Sequence, residues 1–409
     1  MDKNKHIKII TQVFYPDVVA TGELLYDLAV KLKNKYGINV SVLTAQPNFT
    51  VKEKQKKHEE INGIKIERVS TTSFDKNSYL GKVLNSWIYC MKVFFSCLFS
   101  RKTDLYLIVT SPPLAPLIGA FMKIFKGQNY IYLMYDVYPE IAWKLGYIKK
   151  DGIICKIWQF LTDFSLIHAQ KIIVLSDNMK NGILKRFSGV KEEKIIVIHN
   201  WANEEIVQVI NYEENYLIEQ LNLKDKFIVE YSGNIGRVHE FNTMLETAKL
   251  LENQEDVLFL IIGDGGLKTK VKTLADEYNL KNILFLPFQE RTKLSYSLAL
   301  ASLHLLSVNE GYEELVAPSK LYGILASGKP AIFVGKKDYY ITNMLVANNC
   351  GVNVEIGESE KLKNVILEFK NNPEKRKEFS TNSRKLFEKN YTLDIISEQY
   401  NEIFNASLV

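Results

Sequence analysis

The stretch from Asn309 to Val334, NEGYEELVAPSKLYGILASGKPAIFV, constrains the fold most, because it passes from loop to helix to strand with almost no slack. Pro318 suits the first turn of a helix, Ser319 can cap exposed backbone N–H groups, and Lys320 puts a mobile cation beside them. Such an end attracts phosphate. Leu321, Ile324 and Leu325 follow at helical spacing, Gly328 stops the helix, and Lys329-Pro330 leads into the apolar run Ala331 to Val334. The same residues equally suit an ordinary loop, helix and strand unit that binds no ligand.

The rest of the chain repeats this alternation. Ile7 to Val13, Asn39 to Leu43, Lys65 to Val69, Tyr130 to Met134, Lys171 to Leu175 and Lys194 to Ile198 read as buried strands of a first half. Phe227 to Tyr231, Val257 to Ile262, Ile283 to Leu286 and Leu303 to Ser307 read as strands of a second. The pattern predicts an α/β chain of two doubly wound parallel-sheet domains with a cleft between them. The boundaries fall at 1–201, completed by a last helix at about 390–409, and at 202–389.

Two strand ends carry glycine turns. Phe227 to Tyr231 runs into Ser232-Gly233-Asn234-Ile235-Gly236-Arg237, and Val257 to Ile262 into Gly263-Asp264-Gly265-Gly266. Glycines at a strand-to-helix turn favour phosphate, and Arg237 could grip one with two N–H groups or simply face solvent. The first turn lacks the third glycine of the dinucleotide fingerprint, which disfavours a nicotinamide enzyme. In the first half, Asp136 and Glu140 follow a strand end, where ligands sit in α/β sheets; a structural cap is the alternative.

Composition narrows the remaining classes. With 409 residues, 46% of them hydrophobic, the chain can bury two cores. A net charge of +5 is too slight an excess to argue for a nucleic-acid partner. Cys90, Cys97, Cys155 and Cys350 lack a zinc-ligand spacing and read as reduced core thiols. The N-terminus carries no secretory pattern, so a cytoplasmic chain is expected. Tyr79 to Phe99 is long enough to span a bilayer but is interrupted by Lys82, Asn85 and Lys92. It reads either as a helix lying in the membrane interface with Trp87, Phe94 and Phe95 sunk, or as a buried core helix.

Pro318, Ser319, Lys320, Leu325, Ala326, Gly328 and Pro330 together resemble the donor-binding helix of family-4 retaining glycosyltransferases of the GT-B fold. Other stretches match that family too. Asp136 to Glu140 resembles the D-x-x-P-E loop of its bacterial capsule and O-antigen subgroup, and Asn200 its interdomain turn, with His199 in place of proline. Gly263, Asp264 and Gly265 match its GDG motif, and Pro287-Phe288-Gln289 the segment that holds the nucleobase. The chain departs from the family at three places. Asn234 and His239 stand where relatives carry the arginine and lysine of the pyrophosphate loop. Gly323 occupies the position of the ribose-binding glutamate. Glu310, with Glu313 and Glu314 as competitors, begins an E-x7-E motif five residues too early.

The resemblance implies a retaining, metal-independent hexosyltransferase moving an N-acetylated hexosamine or deoxyhexosamine from a UDP-sugar to a lipid-linked or surface-polysaccharide acceptor. It implies Asp136, Glu140, Glu310 and Glu314 as catalytic carboxylates. It implies a donor site of Gly22, Glu23, Asn200, Gly233, Asn234, Arg237, Gly263, Asp264, Gly265, Phe288, Pro318, Ser319, Lys320 and Leu321. The nucleotide sugar would be a substrate, with no cofactor, no metal and no nucleic acid involved. Peripheral contact with the inner membrane would run through residues 79–99. A nucleotide-sugar 2-epimerase of the same fold, or a silent nucleotide-sugar-binding scaffold, are the alternatives.

Overall fold

A computed structural model describes residues 5–17, 19–47, 51, 53–70 and 79–408, without the side chains of Tyr79, Leu80 and Lys82. The Lys82 side chain, named above as an interruption, thus lies outside the described residues. The chain divides into two compact units: 1–199 with 314–317 and 393–409, and 200–313 with 318–392.

The first unit is built on an eight-stranded sheet. Its strands are β1 (His6–Ile10), β2 (Asn39–Ala45), β3 (His58–Ile61), β4 (Ile64–Val69), β5 (Leu105–Val109), β6 (Tyr130–Met134), β7 (Lys171–Val174) and β8 (Ile195–Val197), in the order β3-β4-β2-β1-β5-β6-β7-β8. All pairs are parallel except the edge hairpin β3-β4. β5 and β6 are buried at every residue, as strands covered on both faces must be. β5 escapes the sequence reading although it neighbours β1 at the sheet centre. Its run LYLIV carries no polar alternation, and only five residues separate it from the long apolar helix Tyr79–Phe99.

The second unit has six parallel strands: β9 (Phe227–Ser232), β10 (Val257–Ile262), β11 (Ile283–Leu286), β12 (Leu303–Ser307), β13 (Ala331–Val334) and β14 (Gly351–Val354). Their order is β11-β10-β9-β12-β13-β14, so the direction of winding reverses between β9 and β12. Crevices at the carboxyl ends of such a pair are where ligands enter doubly wound sheets. Phe259, Ile261, Leu305 and Ile332 anchor the core on one face of this sheet, with Leu260 and Ile262 packed on the other.

Two segments cross sequence boundaries. The helix Leu393–Ser407 belongs to the first unit, where Asp394 pairs with Lys31 at 3.1 Å and Lys35 at 2.6 Å on the helix Ala20–Tyr36. Glu314–Ala317 also joins the first unit, because Val137 donates its N–H to the Leu315 carbonyl and Asp136 bridges to Val316. Nothing in the spacing of NEGYEELVAPSK announces that excursion.

Candidate functional site

In the second unit the two glycine turns and the start of the helix Lys320–Ala326 lie at the carboxyl ends of β9, β10 and β12. Gly263 has φ +146°, and a Cβ there would stand 2.0 Å from the Gly233 carbonyl oxygen. Gly265, with φ +154°, would place a Cβ 2.4 Å from the Ile235 oxygen. The turns therefore abut backbone to backbone, and Ile235 N–H donates to the Asp264 carbonyl at 2.8 Å. Only glycine fits.

Lys320 rests beside this pair of turns, its Cε 3.3 Å from where a Gly233 Cβ would lie. Its ammonium donates to the Tyr231 hydroxyl, stands 3.9 Å from the centre of the Tyr231 ring and reaches His239 Nε2 at 3.5 Å. His239 Nδ1 lies 2.6 Å from the Ser307 carbonyl, which can only accept, so Nδ1 carries the proton and Nε2 faces Lys320 as an acceptor. Burial, and then the Lys320 charge, push the His239 pKa down to about 3, which keeps the ring neutral. Desolvation also drives the Lys320 pKa well below its ordinary value. Among the described residues no carboxylate pairs with Lys320. This is a cation held by neutral groups.

The other expected donor residues take varied places. Ser319 does not cap: its backbone is already helical and its side chain makes no capping bond. The helix it precedes has only seven residues, so the ammonium, more than the helix end, supplies positive charge. Pro318 is buried, and Leu321 lies wholly in the core, leaving its side chain no route to a ligand. Arg237 and Asn234 are exposed at the first turn, and Asp264 accepts from Gly265 N–H while pairing with Lys268 at 3.4 Å. Phe288 follows β11 with an exposed ring. Asn200 is buried. Gly323 faces Leu298 Cδ1 at an ordinary 3.5 Å from an ideal Cβ, so a side chain there is not excluded.

In the first unit Gly22 is buried in the first turns of its helix, where a Cβ would press on Phe14 Cα at 3.3 Å, and Glu23 follows partly covered. Packing alone thus accounts for that glycine. Asp136 is partly buried, and desolvation pushes its pKa up to about 6. Glu140 pairs with Arg186 at 3.2 Å, and Arg186 with Asp163 at 2.7 Å. The two carboxylates share one guanidinium.

Glu140, Arg186, Trp143, Lys150 and Glu314 line a cavity of about 290 Å³ within this unit. Glu314 packs so closely on Gly182 that a Cβ there would stand 2.8 Å from its own. Its neighbour Glu313 belongs to the second unit and keeps one carboxyl oxygen buried without a hydrogen-bond partner, whereas Glu310 is exposed. The three glutamates that compete for one role in the sequence reading are therefore split between units. Tyr231 and Arg186 are the residues that reading missed. Tyr231 is the last residue but one of β9, just before a glycine turn, a discernible signal, while Arg186 meets partners 23 and 46 positions away and has none.

Residues 213–386 match the family Glycosyl transferases group 1. Apart from 314–317, the matched stretch lies within the second unit and includes the Lys320 site. The chain is similar to WbjE of Pseudomonas aeruginosa, named a probable glycosyltransferase, at 26% identity over 71% of each protein. It is similar at 26% identity to WcaI of Escherichia coli K12, named for glycosyl transfer in colanic acid biosynthesis, over 63% of this chain and 64% of that one. Its fold is that of Anabaena HepE, solved with UDP and glucose, with a TM-score of 0.75 at 14% identity over 98% of this chain and 100% of that one. The paired parallel sheets are a GT-B fold. No helix among the described residues is long and apolar enough to cross a membrane, and none of their His, Cys, Asp and Glu side chains gather into a metal cluster.

Proposed function

We propose that this protein is a glycosyltransferase of surface-polysaccharide synthesis, moving a sugar from a UDP-sugar to a lipid-linked or growing polysaccharide acceptor. The observation that carries the reading is Lys320: an ammonium desolvated against Tyr231 and neutral His239, next to two glycine turns, with no carboxylate partner among the described residues. An anion arriving there gains a charge-assisted contact without first breaking an ion pair. Charge that develops on a departing nucleoside diphosphate would be met by Lys320, with exposed Arg237 as a second cation. Exposed Phe288 offers a face for the base. The group 1 match over this unit and the UDP bound by HepE support a nucleotide-sugar donor.

In the first unit, Asp136 and the Glu140 cavity would receive the acceptor, with Asp136 as the carboxylate free to contact a hydroxyl. An N-acetylated sugar, retention without a metal, and contact of residues 79–99 with the cytoplasmic face of a membrane complete the reading. A thermal-shift series tests it: UDP should raise the melting temperature, and Lys320→Met should remove most of that rise. Stabilisation by NAD but not UDP, or no response to any nucleotide, refutes the donor assignment. Anomeric analysis of the product by NMR tests retention.

A further inference from the structure

The helices Tyr79–Phe99, Pro116–Lys126 and Ile153–His168 lie side by side in the first unit, joined by Phe94 against Phe121 and Phe121 against Phe164. Phe94 thus packs between helices, but Trp87, Phe95 and Phe99 point outward, Phe99 with 83% of its surface exposed. The third helix exposes still more. Ile153, Ile154, Ile157 and Phe160 recur at helical spacing on its outer side, with Ile153 71% and Phe160 68% exposed. Phe125, at the end of the middle helix, continues the strip. Contiguous apolar surface of this kind marks a docking face.

Charge identifies the occupant. The three helices hold Lys92, Lys123, Lys126 and Lys156 among their described side chains, but a single acid, Asp163, which Arg186 neutralises from within. Exposed Arg101 and Lys102 follow the first helix, and exposed Lys149 and Lys150 precede the third, against two exposed acids, Asp104 and Asp151. Lys156 sits inside the isoleucine strip itself. In a dry interface with a second copy it would be buried and the basic rims would repel each other, whereas at a bilayer its stem can lie along the apolar surface while its ammonium reaches phosphate headgroups.

We propose that these three helices dock the protein on an anionic lipid membrane, with the helix Ile153–His168 as the principal contact. The contact extends well beyond residues 79–99 and does not depend on the donor-site reading. Cys155 and Gln159, on the inner side of the same helix, line the Glu140 cavity, so docking would hold that cavity one helix width, about 10 Å, from the lipid surface.

Flotation of the full-length chain with phosphatidylcholine vesicles, with and without phosphatidylglycerol, tests this. The wild type should bind only the anionic vesicles, and salt should weaken binding. Ile154→Glu with Phe160→Glu should cut binding by about tenfold or more while leaving the melting temperature and its response to UDP unchanged, since both side chains are exposed. Trp87→Glu should cost less. The proposal fails if the wild type ignores anionic vesicles, binds zwitterionic ones equally well, or keeps its binding in the double variant. It also fails if light scattering shows a dimer that the double variant dissociates, which would make a second copy the occupant.

Discussion

The two units handle charge in opposite ways. In the second unit one cation, Lys320, is desolvated against a phenol and a neutral imidazole and left without a counter-ion among the described residues. In the first unit Arg186 is claimed by two carboxylates, Glu140 and Asp163; burial raises the pKa of these two and of Asp136 alike, and of the three only Asp136 has no ion pair among the described residues. An unpaired, desolvated charge costs stability and is retained where a ligand can complete it, whereas a closed pair mainly holds elements together. On the proposed reading, Lys320 and Asp136 are the groups that would meet ligands. Glu140, placed beside Asp136 by the sequence reading, becomes first of all a structural partner.

The largest effect expected in breaking this contrast comes from the backbone. Gly263→Ala, with φ +146° and a Cβ 2.0 Å from the Gly233 oxygen, should destabilise the second unit by about 4 kcal/mol or more, since the turns must part. Calorimetry should show the loss, and any UDP response should vanish with it. Arg186→Met should cost about 3 kcal/mol by stranding Glu140 and Asp163 together. Raising the melting temperature instead would mean that the pair is not structural.

Asp136→Asn sharpens the comparison through pH. A carboxyl with its pKa raised to about 6 is ionised above that pH and protonated below it, so wild-type kcat/KM should fall as pH drops through about 6. The variant should lose on the order of a hundredfold in rate at pH 7 and lose that acid limb as well. A variant that keeps the limb would assign it to another group. The smallest effect is at Gly323, inside a helix with room for a Cβ. Gly323→Ala should stabilise by about 0.5–1 kcal/mol, and a loss of UDP affinity in that stable variant would show that the ligand needs the missing side chain's space.

Much of this site was legible before any coordinates. Strands β6, β10, β11, β12 and β13 stand where runs of apolar residues end in turn residues, and Gly233, Gly263 and Gly265 mark the turns their backbones require. Edge strands β3 and β14 were missed: His58–Ile61 reads HEEI, polar enough to pass for loop, and Gly351–Val354 opens on a glycine. Ser319 reads as a cap, but a cap needs a non-helical backbone, and that of Ser319 is already helical.

Local pattern settled the alternation of strands and helices, the glycine turns and the position of Lys320, because each depends on residues a few places apart. Long-range packing settled which groups are charged and which are spoken for. His239 became neutral because the fold buries it beside Lys320, 81 positions away, and Lys320 lost its hydration against Tyr231, 89 positions away. Glu313 and Glu314 fell into different units because Leu315 and Val316 pair with the strand end at Asp136 and Val137. The outward turn of Ile153, Ile154 and Phe160 was decided in the same way, since a helix shows in sequence that it has an apolar face but not which of its faces the neighbouring helices cover.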